Sequence, residues 1–381
     1  MNARAAELRA KGVDVYAFGV GEPDFEPPRF ILDAAKQAID DGASKYTAVS
    51  GVLPLRQSIC ARTARIRGYE PRPDQVIVTV GAKHALFNLA IALYEPGDEV
   101  IIPAPYWVTY PEQVRMMGAT PVIVQTDEAH GWKLTPEKLQ STITAKTKAI
   151  VLCTPCNPTG IAYTPEEMRG LLAVVAKTDA WFIVDEIYAE LIYDGLRHAS
   201  PLSIAPELAD RVVTVDGLAK SYAMTGWRIG WAIAPTPLIK AMDLVQGQST
   251  TNATSVAQHA AIAALNGPQD EVQAMRVAFE RRRDVMITGL NALPGIKCRK
   301  PEGAFYAFAD VRGLYGMSHG DKRIENDSDV ALFLLDRAHV ASVPGAGFGA
   351  PGYVRFSYAT SEDRIGSGIA SMRRAIEAAH S

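Results

Sequence analysis

Seven short apolar runs separated mostly by helix-length segments, and a change of rhythm after Pro235, predict an α/β protein. The expected architecture is a large domain with a mainly parallel seven-stranded sheet between helices, plus a smaller α+β domain. The runs 76–80, 100–102, 121–124, 149–153, 182–184, 212–215 and 229–234 read as strands. The clearest of them, Trp181-Phe182-Ile183-Val184, is continuously apolar, as a strand covered on both faces is. Between the strands, 82–94 and 165–176 read as helices. After Pro235 come three helical stretches, at 238–246, 255–265 and 269–290. Short strands follow at 296–299, 305–308, 340–343 and 354–358, and a closing helix starts at Glu362. The N-terminal residues are expected to join this later part of the chain. The expected division is 20–265 for the large domain, and 1–19 with 266–381 for a discontinuous small domain.

At about 150 residues per domain, 381 residues suit two or three domains. A composition of 48% hydrophobic and 21% charged residues is that of a globular protein with a large core. The net charge of −3 leaves no electrostatic footprint for nucleic acid or an anionic membrane. No apolar stretch reaches the ~18 residues that suggest a membrane span. The opening MNARAAELRAKG has no apolar core of a signal peptide, so a cytoplasmic location is expected. Cys60, Cys153, Cys156 and Cys298 are too few in so long a chain for a disulfide framework. Cys153 and Cys156 form a C-x-x-C without a second pair, whereas a structural zinc site takes four ligands. No metal is therefore expected.

Two segments carry chemistry. Asp185 ends one buried strand, and Lys220 follows another in Leu218-Ala219-Lys220-Ser221-Tyr222. Ligands of open α/β sheets bind just outside such strand ends. A carboxylate and an amine there suit pyridoxal phosphate. The lysine forms a Schiff base, and the aspartate keeps the pyridine nitrogen protonated so that the ring accepts electrons. Arg228, eight residues after the lysine, can take the phosphate. A lone loop lysine is ordinarily just exposed, but the aspartate upstream and the arginine downstream turn the reading toward catalysis. A carboxylate directly after four buried apolar residues also needs a partner, because burying a lone charge is costly. Gly81-Ala82-Lys83 closes a strand and opens a helix, where backbone N–H groups can cradle an anion.

With these motifs the sequence resembles the fold-type I pyridoxal phosphate enzymes of the aspartate aminotransferase superfamily. Within the class I/II aminotransferases it is most similar to the bacterial aspartate and aspartate/prephenate branch, from about Asn2 to the C-terminus. The resemblance implies an aminotransferase using pyridoxal 5′-phosphate, with Lys220, Asp185 and Tyr188 as its catalytic residues. Tyr188 and Asn157 would share the cofactor's phenolic oxygen, Gly81, Ala82, Lys83 and Arg228 its phosphate side, and Trp107 the face of its ring. Tyr46 matches a tyrosine that reaches the phosphate of the partner subunit, which implies a homodimer with shared active sites. Arg355 matches the fork that grips the substrate's α-carboxylate. Gly21 matches a loop that closes over the substrate.

Lys83 further matches a position where an ammonium meets the substrate's distal carboxylate. This favours L-aspartate as donor and 2-oxoglutarate as acceptor, in a ping-pong route. Prephenate, aromatic or broad amino-acid specificity are the alternatives. Two departures stand out: Cys156 replaces an asparagine common in relatives, and Gly217 replaces a serine that some branches use for the phosphate. The sequence also opens inside the relatives' first helix, without their N-terminal arm, so distal recognition rests on Lys83. A reading of another class is a non-catalytic remnant that binds the cofactor, for which gel filtration would show no shared-site dimer. A cofactor-binding regulator would need a helix-turn-helix, and none precedes residue 20.

Overall fold

The computed structural model describes residues 2–320 and 322–380. Seven strands form one sheet: β1 (Val76–Thr79), β2 (Glu99–Ala104), β3 (Thr120–Gln125), β4 (Thr147–Cys153), β5 (Trp181–Asp185), β6 (Val212–Gly217) and β7 (Gly230–Ile233). Their order is β1-β7-β6-β5-β4-β2-β3. Strand β7 is antiparallel to both neighbours, and every other pair is parallel. The C-terminal ends of six strands and the start of β7 therefore share one edge of the sheet.

Burial on both faces explains the unbroken apolar runs. In β1, Val76 and Val78 pack with Trp231 and Ile233 on one side, while Ile77 faces the larger core on the other. Helices α1 (Leu53–Arg67), α2 (Ala82–Leu93), α3 (Thr109–Met116) and α4 (Pro165–Val175) are among those that cover the sheet. The start of α4 is held by a capping box. Thr164 Oγ1 accepts from the Glu167 N–H at 3.2 Å, and Glu167 Oε2 accepts from the Thr164 N–H at 2.7 Å. Past β7, helix Thr236–Gly247 packs on α2, and helix Ser255–Asn266 on α1 and helix Arg29–Asp40. Both thus belong with the sheet despite the change of rhythm after Pro235.

A second, antiparallel sheet has the order β10-β11-β9-β8, formed by β8 (Lys297–Cys298), β9 (Tyr306–Asp310), β10 (Val343–Pro344) and β11 (Tyr353–Ser357). One expectation needs correction here. The stretch 340–343 is two strands: Val340–Ala341 pairs in parallel with Tyr16–Ala17, and Val343–Pro344 pairs with β11. Pro344 has no N–H to donate, and it sits on an edge strand where none is needed. Helix Glu362–His380 closes the chain. Among the described residues no helix is long and apolar enough to cross a membrane, and no group of side chains has the makings of a metal site.

Candidate active site

A cavity of about 330 Å³ opens at the shared strand edge. Asp185, Tyr188, Lys220, Arg228, Asn157, Trp107, Gly81, Ala82, Lys83, Gly21 and Arg355 all line it. Each arrives by the topology: Asp185 at the end of β5, Lys220 after β6, Asn157 after β4, Trp107 after β2, Gly81 between β1 and α2 with Ala82 and Lys83 in the first turn of α2, and Arg228 just ahead of β7. Arg355 reaches in from β11 of the smaller sheet. Tyr46, the remaining residue singled out from the sequence, is exposed and outside this lining.

Asp185 is 2% exposed. Its Oδ2 accepts from the Tyr110 hydroxyl at 2.8 Å, and Oδ1 accepts from the Ile187 N–H at 3.1 Å. Burial nevertheless raises its carboxyl to about 6, with those two hydrogen bonds pulling down and the nearby Asp216 and Glu186 pushing up. A cationic partner on the cavity side would remove that penalty. Lys220 has the opposite problem. Burial lowers its ammonium to about 8; Glu22 opposes the drop, and the Arg355 and Arg228 guanidiniums add to it. Its Nζ donates to Gly21 O at 2.5 Å, tying the lysine to the loop that precedes the large sheet. An amine of this kind is partly neutral near physiological pH and able to attack a carbonyl.

Arg228 adopts a left-handed backbone, φ 55°. Its Nη1 donates to Thr225 O at 2.7 Å, which leaves the guanidinium against Gly81. Gly81 has φ 85°, and a Cβ there would lie 2.6 Å from Arg228 Nη2. The glycine is thus required twice, for the turn into α2 and for the approach of the arginine. Together the N-terminus of α2 and the guanidinium make a cationic pocket for a phosphate.

Arg355 is buried. Its Nη1 donates to Asn157 Oδ1 at 2.8 Å and Nη2 to Gly19 O at 3.1 Å, while Nε has no hydrogen-bond partner among the described residues. The guanidinium lies 4.3 Å from the centre of the Tyr306 ring. The Tyr306 hydroxyl is 2.8 Å from that of Tyr188, and burial raises the pKa of both phenols. Lys83 Nζ sits 4.8 Å over the Trp107 ring, which packs edge-on against Tyr110. Tyr110, Tyr306 and Thr225 were not singled out from the sequence. Tyr110 had a faint signal, one helical turn after Trp107, and Tyr306 had none beyond lying in a strand.

These groups fit the polar ends of pyridoxal 5′-phosphate: a buried carboxylate for the ring nitrogen, a depressed amine for the aldehyde, and the Gly81–Arg228 cradle for the phosphate. The sequence model of the family described as aminotransferase class I and II matches residues 13–371. The chain belongs to this family. The aminotransferase is similar to the aspartate aminotransferase of Geobacillus stearothermophilus, 46% identical over 98% of this chain and 94% of that one. It is also 46% identical to the aspartate/prephenate aminotransferase of Cereibacter sphaeroides, over 94% and 90% of the two chains. Among solved structures, the aspartate aminotransferase from Rhizobium meliloti superposes with a TM-score of 0.96 at 43% identity, covering 99% of this chain and 94% of that one. The Thermus thermophilus aspartate aminotransferase with maleate gives 0.92 at 42% identity, covering 98% and 95%. The aminotransferase is a fold-type I enzyme whose cofactor is pyridoxal 5′-phosphate. When bound, that cofactor supplies the electron sink of transamination.

Proposed function

We propose that this aminotransferase takes the amino group of L-aspartate and passes it to 2-oxoglutarate by a ping-pong route, as a cytoplasmic homodimer. The observation that carries the substrate class is that two cations, Arg355 and Lys83, line one cavity. Arg355 grips the α-carboxylate with its planar fork, and Lys83 meets the distal carboxylate. In this reading Lys220 Nζ carries the substrate's α-proton, Asp185 stays ionised against the pyridine nitrogen, and Tyr188 with Asn157 donates to the phenolic oxygen. Trp107 covers the ring, and Gly81, Ala82, Lys83 and Arg228 serve the phosphate. Gly21 closes over the substrate, and Tyr46 of each subunit serves the phosphate of the other. Residues 20–265 form the cofactor-holding domain, and 1–19 with 266–381 the smaller domain that bears Arg355.

Relatives named aspartate aminotransferase, and a similar structure solved with maleate, a dicarboxylate, support this substrate class. The test is Lys83→Ala assayed with two donors. Loss of a charge-assisted contact predicts that kcat/KM for aspartate falls about 10- to 100-fold while that for alanine changes less than about threefold. Equal losses on both donors would remove the case for distal-carboxylate recognition.

A further inference from the structure

A cluster of buried charges lies where the pairing of β5 with β6 ends. That pairing runs to Asp185 opposite Val215, and the Glu186 N–H donates to Val215 O at 2.7 Å. The next residues, Glu186 just past β5 and Asp216 within β6, are both acidic, and they are 2% and 8% exposed. Beyond these residues one segment leads to Tyr188 and the other to Lys220. Two buried carboxylates beside Asp185 repel each other and Asp185 as well, which drives the strand ends apart unless a cation joins them.

Arg67, the last residue of α1, is that cation. Its Nε donates to Glu186 Oε2 at 3.2 Å and its Nη2 to Asp216 Oδ2 at 3.1 Å. Arg62, earlier on α1, lies 3.8 Å from Asp216 and pairs with Glu190. On the far side of Glu186, Ser200 Oγ donates to Oε1 at 2.7 Å, and His198 Nε2 is 3.0 Å from the same oxygen. None of Arg67, Glu186 and Asp216 lines the cavity.

We propose that Arg67 is a positioning residue of the active site, whose fork across Glu186 and Asp216 sets the separation of the strand ends that carry Asp185 and lead to Lys220. The guanidinium is planar, so its two bonds fix directions as well as distances, which a lysine ammonium does not do. The demand for such precision comes from the cofactor. Asp185 and Lys220 have to meet opposite parts of one rigid small molecule at the same time, and such constellations tolerate only about 0.5 Å of error. The inference rests on the roles given above to Asp185 and Lys220.

The experiment compares Arg67→Lys and Arg67→Met with Arg283→Lys as control. Arg283 is also buried and forks a carboxylate, Asp194, at 2.7 and 3.0 Å, but it does not line the cavity. For each variant the readouts are apoprotein Tm, the Kd of pyridoxal 5′-phosphate by fluorescence quenching, and kcat and KM with aspartate. The Arg67 variants should weaken cofactor binding by about tenfold or more and lower kcat on the order of 10²-fold, with KM for aspartate within about threefold. Arg283→Lys, at a comparable loss of Tm, should leave Kd and kcat within about threefold of the parent. The proposal falls if the Arg67 variants bind cofactor and turn over within that threefold band, or if Arg283→Lys loses as much per degree of Tm. If neither Arg67 variant yields folded apoprotein, Asp216→Asn, which keeps the shape but weakens one arm of the fork, is judged by the same criteria. Lys220→Ala separates the two readings. Parental turnover in that variant would overturn the site assignment itself, whereas a dead Lys220→Ala with unaffected Arg67 variants would overturn the fork alone.

Discussion

Asp185→Asn should stabilise the apoprotein while damaging the holoenzyme. The Asp185 carboxyl, ordinarily near 3.8, is raised to about 6, chiefly by burial. Between these values the folded protein holds a proton that the unfolded chain has released, so apoprotein stability falls as pH rises through the window. The loss is small below pH 4, about 1 kcal/mol at pH 4.5 and about 3 kcal/mol above pH 7. Asparagine fills the same space and cannot ionise, so the variant escapes the loss. For a chain of 381 residues the unfolding entropy is about 0.8 kcal/mol/K, which makes the gain about 3–4 °C in Tm at pH 7.5 and about 1 °C at pH 4.5. Cofactor binding should move the other way, since a neutral amide cannot balance a pyridinium. Calorimetry of parent and variant apoproteins at the two pH values is the assay, paired with cofactor titration. A variant less stable than the parent at pH 7.5, or a gain that does not grow with pH, would refute the claim that Asp185 is a penalised buried charge awaiting a cation.

Two further outcomes follow from the same geometry. Because burial brings Lys220 to about 8, the rate at which apoprotein captures pyridoxal 5′-phosphate should rise with pH around a midpoint near 8, as the neutral amine appears. A stopped-flow absorbance series checks this, and a midpoint above about 9.5, approaching that of an ordinary lysine, would contradict it. Gly81→Ala puts a Cβ 2.6 Å from Arg228 Nη2 at a backbone φ of 85°. Cofactor Kd should weaken by about tenfold, and a change below about twofold would mean that the cradle is not where the phosphate sits.

Much of this molecule was legible because burial leaves a local trace. A strand covered on both faces must be apolar at every position, so Val76-Ile77-Val78 and Phe182-Ile183-Val184 announce themselves without reference to any partner. A carboxylate or lysine at the end of such a run is conspicuous for the same reason, which is how Asp185 and Lys220 came forward. The stretch 340–343 shows the limit of this logic. Both halves are apolar, and nothing local says that one pairs with Tyr16–Ala17 and the other with β11. From its own surroundings Arg355 reads as a cation in a strand pattern, and only the family resemblance assigns it to a carboxylate; its contact with Asn157 spans 198 residues of sequence.

What the sequence determined by itself, then, was the sheet, its functional edge, and the chemical types offered there. Those depend on period and burial, which neighbouring residues encode together. Only the tertiary structure decided which polar groups face one another: Tyr110 on Asp185 across 75 residues, Tyr306 on Tyr188 across 118, and Arg67 on Asp216 across 149. Such pairings carry no local signature, because a hydrogen bond depends on ångström-scale distance and direction between elements that only the completed fold brings together.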